Sequence, residues 1–107
     1  MTHSQAPSVD REGFLYNPAD WNRDLADTLA SAEGIELTDA HWEVIDTLRQ
    51  FYQDHDMPPA NRIFVRTVRH HLGEEKGNSI YLMQLFGGSP AKIAAKIAGL
   101  PKPAGCL

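Results

Sequence analysis

Residues 38–73 read TDAHWEVIDTLRQFYQDHDMPPANRIFVRTVRHHLG, and this stretch predicts two helices joined by a proline-containing turn. Thr38 is a suitable N-cap, because its hydroxyl can accept a hydrogen bond from a backbone N–H of the first turn. The apolar residues of the first helix share one face: Trp42, Ile45, Leu48 and Tyr52. That helix ends before Met57 and the two prolines, since a residue before proline avoids helical geometry. The second helix covers 59–72 and ends at Gly73.

The same reasoning predicts three more helices outside this stretch. They cover residues 17–34, with Trp21, Leu25 and Leu29 four positions apart, then 78–86, capped by Asn78 or Ser79, and 89–99. The last segment has the clearest boundaries, with Ser89 as N-cap, Pro90 at the first helical position and Gly99 beyond the end. The chain is therefore predicted to be mainly α, with about five helices.

Length and composition favour one small globular domain. The chain has 107 residues, 42% of them hydrophobic, which suits a single core. No apolar run approaches the roughly 18 residues that a membrane span needs, and the first residues do not resemble a signal peptide. We therefore expect a cytoplasmic protein with no membrane association.

The charge is divided between the two halves of the chain, although the net charge is only −4. Residues 1–57 contain 3 Lys and Arg against 12 Asp and Glu, whereas residues 58–107 contain 7 against 2. The basic half also carries Cys106, the single cysteine. One cysteine excludes an internal disulfide and a CxxC motif, so Cys106 acts either alone or together with another molecule.

The prolines after Gly99 predict a change from a packed domain to an extended segment. We assign residues 1–10 to a weakly ordered N-terminus, 11–99 to the helical domain and 100–107 to a flexible C-terminal arm. Pro101 and Pro103 favour a polyproline-like path, which gives the arm a reach of about 25 Å. Gly105 adds a freely rotating position beside Cys106. A thiol at this position suits the transfer of sulfur as a persulfide.

Several short motifs resemble the DsrC/TusE family of sulfur-relay proteins over about residues 12–107. They are Leu37-Thr38 with His41-Trp42, the run from Gly73 to Ser79 with Tyr81-Leu82, Leu85-Phe86, Pro90-Ala91-Lys92, the run from Lys96 to Pro103, and Gly105-Cys106. The resemblance implies a small orthogonal helical bundle with a short N-terminal β-hairpin, to which residues 9–16 would contribute a turn and one strand. It also implies that Cys106 bears the persulfide.

The resemblance further implies a partner set. Two-cysteine members have a second cysteine eleven positions before the penultimate one, where this chain has Ala95. The single-cysteine pattern resembles TusE, which implies a sulfur donor complex resembling TusBCD and an acceptor thiouridylase resembling MnmA, with tRNA 2-thiolated at the wobble uridine. A carrier or regulator of dissimilatory sulfur metabolism is the alternative within the family.

Basic residues near the predicted arm are candidates for docking. Arg62, Arg66 and Arg69 share a helix face, and the resemblance places Arg62 near the arm. The other candidates are Lys92, Lys96, Lys102 and Gly105. The two helices of residues 38–72 also allow a helix-turn-helix interpretation, but the negative net charge argues against direct DNA binding. No metal site and no cofactor motif can be recognised.

Overall fold

The structure, a computed structural model, describes residues 8–105 and consists mainly of helices. A 3₁₀ turn, Pro18–Asp20, precedes five helices: α1 (Arg23–Ala32), α2 (Asp39–His55), α3 (Asn61–Leu72), α4 (Ser79–Phe86) and α5 (Pro90–Ile97). The predicted mainly α class with about five helices is confirmed. Residues 1–7 of the predicted N-terminal segment lie outside the described residues, as do residues 106 and 107.

Local capping explains where the helices begin. The side chain of Asn22 accepts a hydrogen bond from the Leu25 N–H at 2.8 Å, and Asn78 accepts one from the Tyr81 N–H at 2.9 Å. Each contact satisfies a backbone donor that has no partner within its own helix. The predicted caps Thr38 and Asn78 are confirmed.

The start of α2 also depends on a buried histidine. His41 accepts a hydrogen bond from the Thr38 N–H through Nδ1 at 3.0 Å, while its Nε2–H donates to the Leu85 carbonyl at 2.8 Å. These contacts require the neutral tautomer protonated at Nε2. His41 therefore joins the start of α2 to the end of α4, a connection between distant segments that residue spacing does not reveal.

Two predicted features at the N-terminal end differ from the structure. Trp21 precedes α1 rather than lying on it, because Asn22 caps the helix one position later. The predicted hairpin is not confirmed: among residues 8–105 only an isolated antiparallel bridge, between Val9 and Leu15, is formed. The turn that joins these two residues is closed by Asp10, whose side chain accepts from the Phe14 N–H at 2.9 Å.

The core is built around α5, which packs against each of the other four helices. Its central positions are small, and Ala91, Ala94 and Ala95 are all buried. Small side chains let the neighbouring backbones approach closely, and larger residues then fill the space between the helices. The largest fully buried ones include Phe64, Phe86, Ile45, Leu48 and Leu82. No helix within residues 8–105 is long and apolar enough to span a membrane.

Candidate functional site

The segment that leads towards Cys106 begins with a tight turn at the end of α5. Gly99 has a φ of 74°, and a Cβ at this position would lie 2.3 Å from Cδ1 of Trp21. The next N–H, that of Leu100, donates to the Ala95 carbonyl at 2.9 Å. Glycine is needed here for two independent reasons, the left-handed backbone and the contact with the indole ring.

The start of the predicted arm is packed rather than extended. Leu100 is fully buried in the core, and Pro103 is buried as well, whereas Ala104 and Gly105 are exposed. Gly99 and the prolines that follow it interrupt the helix, so the sequence predicts that the domain ends at residue 99. The structure shows that the chain continues along the domain surface through Pro103, since Leu100 fills a space in the core.

The side chains of Trp21 and Arg49 both donate hydrogen bonds to carbonyl groups at the end of α5. The indole N–H of Trp21 donates to the Ile97 carbonyl at 2.8 Å, and Arg49 Nη1 donates to the Ala98 carbonyl at 2.7 Å. The guanidinium of Arg49 lies 3.9 Å from the centre of a Trp21 ring. Partial burial lowers the pKa of Arg49 from its usual value. These two residues satisfy carbonyls that α5 leaves unpaired, and the sequence analysis did not assign either of them to the site.

A second attachment links the C-terminal segment to the N-terminal turn. Glu12 accepts a hydrogen bond from Lys102 Nζ at 2.9 Å and lies 3.8 Å from Lys92 Nζ. The hydrogen bond from Lys102 is the main cause of a lowered pKa at Glu12. Two of the predicted docking lysines are thus in contact with the same carboxylate. Glu12 was missed because it lies 90 residues from Lys102 in the sequence.

The position of Lys96 in the structure does not agree with the docking role that the sequence predicts. Its side chain is nearly buried, its Nζ lies 2.8 Å from Glu33 Oε2, and it is 5.3 Å from the centre of the Phe14 ring. The charge is therefore neutralised within the domain and is not presented to a partner. The four-residue spacing of Lys92 and Lys96 does not predict this ion pair. Its carboxylate, Glu33, caps the end of α1 and lies 63 residues before Lys96 in the sequence.

Gly105, the last described residue, lines a groove of about 380 Å³ at the start of α5. We call this the terminal groove. Its lining residues are Asn61, Ser79, Met83, Gly88, Ser89, Pro90, Ala91, Lys92 and Gly105. Cys106 lies outside the described residues and follows Gly105 directly in the sequence. The described part of the chain therefore ends at this groove.

The arginine face, formed by Arg62, Arg66 and Arg69, adjoins the terminal groove. A neighbouring depression of about 340 Å³ is lined by all three arginines and shares Asn61 and Ser79 with the groove. Arg69 donates to the Gly77 carbonyl at 3.2 Å, whereas Arg62 and Arg66 are exposed and form no ion pair within the described part of the chain. The structure brings the predicted arginines and Gly105 to one side of the molecule.

The remaining site predictions concern Ala95 and metal binding. Ala95 is fully buried beneath the turn that leads to Leu100, and its methyl group offers no chemistry to the segment above it. Between residues 8 and 105, no group of three or more His, Cys, Asp and Glu side chains lies close enough to hold a metal ion.

Comparisons with known proteins agree with this architecture. A family model described as "DsrC like protein" matches residues 1–107. The sulfurtransferase TusE homolog of Haemophilus influenzae is 53% identical over 99 residues, which cover 92% of this chain and 91% of the relative. Sulfurtransferase TusE of Yersinia pseudotuberculosis is 52% identical over 99 residues, or 92% of each protein.

Solved structures give the same assignment. The NMR structure of Allochromatium vinosum DsrC matches with a TM-score of 0.83 and 47% identity, covering 92% of this chain and 88% of that one. The oxidised γ-subunit of dissimilatory sulfite reductase (DsrC) from Archaeoglobus fulgidus matches with a TM-score of 0.79 and 36% identity, covering 94% and 92%. The fold, the predicted motifs and these relatives together show that the chain belongs to the DsrC-like family.

Proposed function

We propose that the chain is a sulfur carrier that accepts a sulfane sulfur on Cys106 and passes it to a partner protein. Its relatives at about half identity are named as sulfurtransferases, and family membership covers the whole chain. The observation that supports Cys106 as the carrier residue is the course of the segment before it. That segment is attached to the domain through Pro103 and is exposed at Gly105, one residue before the only cysteine.

The transfer step follows from thiol chemistry. The Cys106 thiolate attacks the outer sulfur of a donor persulfide, so a new S–S bond forms on Cys106 while the donor's S–S bond breaks. The donor leaves as a thiolate, and Cys106 carries the sulfur as a persulfide. An acceptor nucleophile then attacks the outer sulfur and releases the Cys106 thiolate, so no net oxidant or reductant is needed.

Ala95 restricts how the sulfur leaves. Release through an internal disulfide needs a second thiol in the same chain, and Cys106 is the only cysteine. The persulfide must therefore be discharged by a nucleophile of another molecule. This agrees with a relay protein that works between a donor and an acceptor.

The partners that fit this role are a donor complex resembling TusBCD and an acceptor thiouridylase resembling MnmA bound to tRNA. The names of the curated relatives favour this pathway, which leads to 2-thiolation of the wobble uridine. The likeness to Allochromatium vinosum DsrC, at 47% identity, supports the second candidate, a single-cysteine carrier or regulator in dissimilatory sulfur metabolism. Sulfur transfer assays with each acceptor separate the two.

Mass spectrometry after incubation with a persulfide donor tests the central step. We expect the peptide containing Cys106 to gain about 32 Da, the mass of one sulfur atom, and to lose it on reduction. Cys106→Ser is the matched control and should gain no mass. A wild-type chain that gains no sulfur contradicts the proposal. The helix-turn-helix alternative predicts instead sequence-specific DNA binding that persists in Cys106→Ala.

A further inference from the structure

Helix α4 exposes apolar side chains that the fold does not need. Its sequence is SIYLMQLF, in which Leu82 and Phe86 are buried while Ile80 is 72% exposed and Met83 is 46% exposed. Ile80 and Met83 are three residues apart and therefore lie on the same side of the helix. Single exposed apolar residues are common, but two large ones next to each other on one side of a helix favour a surface that a partner covers.

This apolar side of α4 is continuous with the terminal groove and the arginine face. Met83 and Ser79 line the groove beside Gly105, and Ser79 also lines the depression that contains Arg62 and Arg66. The surface thus has an apolar part next to cationic side chains. Protein interfaces commonly have this composition, with an apolar centre and a polar rim.

We propose that Ile80, Met83, Arg62 and Arg66 form the docking surface for the protein that exchanges sulfur with Cys106. The inference rests on the proposed carrier function, because it is the transfer that requires a partner beside Gly105. The occupant is a protein with an apolar pocket and carboxylates at its rim. Neither α3 nor α4 contains an Asp or Glu to neutralise the arginines, so the complementary charge comes from the partner.

The position of the surface supports a protein that reacts with the thiol. Residue 106 is one Cα–Cα step, about 3.8 Å, from Gly105, and Gly105 lines the same groove as Met83. A partner bound over Met83 therefore lies beside Gly105. A nucleic acid would use the arginines but would gain little from Ile80 and Met83, so the apolar residues favour a protein.

Two double variants test the surface: Ile80→Ser with Met83→Ser, and Arg62→Glu with Arg66→Glu. Matched controls are Met57→Ser, which removes an exposed apolar side chain elsewhere, and Arg11→Glu, which reverses an exposed charge on the N-terminal turn. Circular dichroism checks that each variant is folded. The probes are inorganic polysulfide and a persulfide-loaded donor complex of the TusBCD type.

We expect both double variants to reach the wild-type extent of sulfur loading from excess polysulfide, because loading at completion needs only the thiol. Binding to the donor complex and sulfur uptake from it should fall by about tenfold or more in both, and the controls should match the wild type. Binding by the arginine variant should also lose most of the salt dependence seen in the wild type.

The proposal is contradicted if both double variants bind the donor complex with the affinity of the wild type. It is also contradicted if the wild-type chain does not bind the complex. A wild-type dimer that both double variants convert to monomers would instead assign the surface to a second copy. Binding of tRNA that only the arginine variant abolishes, with donor binding intact, would assign it to RNA. Failure of Cys106 to load from polysulfide contradicts the carrier function itself, and donor binding still tests the surface separately.

Discussion

Gly99 is the residue at which the packed helix and the C-terminal segment meet. Any other side chain there would face both a left-handed backbone and the ring of Trp21. The position of Gly99 after the apolar pattern predicts that the helix stops there. Its contact with the indole was not predictable, because Trp21 lies far away in the sequence and belongs to no helix.

Gly99→Ala should lower the free energy of unfolding by about 2 to 4 kcal/mol, from backbone strain together with overpacking. Urea denaturation followed by circular dichroism measures the change. Gly34→Ala is the matched control, since Gly34 has a similar φ of 75° with nothing within 4 Å of a new Cβ. It should lose only about 1 to 2 kcal/mol. Equal losses in the two variants would contradict a specific contact between Gly99 and Trp21.

At the scale of the elements, α5 determines how the other helices assemble. Its boundaries were predicted well because Ser89, Pro90 and Gly99 act locally on the backbone. Its central place was not predictable from the sequence, since short apolar helices look alike whether they lie at the centre or at one side. The burial of Lys96 was missed for the same reason, as its carboxylate partner, Glu33, lies 63 residues away.

Ala95→Leu should destabilise the domain, because α5 packs against four helices and Ala95 is fully buried among them. Extra methylene groups in a filled core typically cost about 1 to 3 kcal/mol, and unfolding in urea measures the loss. Ile80→Leu, on the exposed side of α4, is the control and should leave stability unchanged. An Ala95→Leu variant as stable as the wild type would show that the centre of the bundle is not tightly packed.

At the scale of the whole molecule, Glu12 links the N-terminal turn to the segment that follows α5. The acidic half and the basic half were evident from composition, but which charges meet depends on the fold. Glu12 contacts Lys102 and Lys92, and Glu33 contacts Lys96 across the core. The candidate site is therefore only partly predictable. Its basic residues can be recognised in the sequence, whereas the carboxylates that form ion pairs with them are identified only by the fold.

Acid should release the C-terminal segment from the N-terminal turn. Lys102 holds the pKa of Glu12 below its usual value of 4.5, so the ionised carboxylate is favoured in the folded protein. The stabilisation is complete above pH 4.5 and is lost as the pH falls through the lower, folded-state pKa. Amide exchange and ¹⁵N relaxation at Lys102 measure the release. Glu12→Gln should show the faster exchange already at neutral pH, and a profile that matches the wild type at every pH would contradict the link.

Anchoring of the segment at Pro103 has a kinetic consequence for sulfur delivery. Cys106 is three residues beyond Pro103, so its Cα lies within about 11 Å of that anchor even when the chain is fully extended. An arm that is free from residue 100 would let this Cα reach about twice as far, because six residues instead of three would separate it from its anchor. If Cys106 carries the sulfur as proposed, this shorter reach raises the effective concentration of its thiol at the sulfur of a bound partner. We then expect the formation of the complex, rather than transfer within it, to limit the rate of the relay.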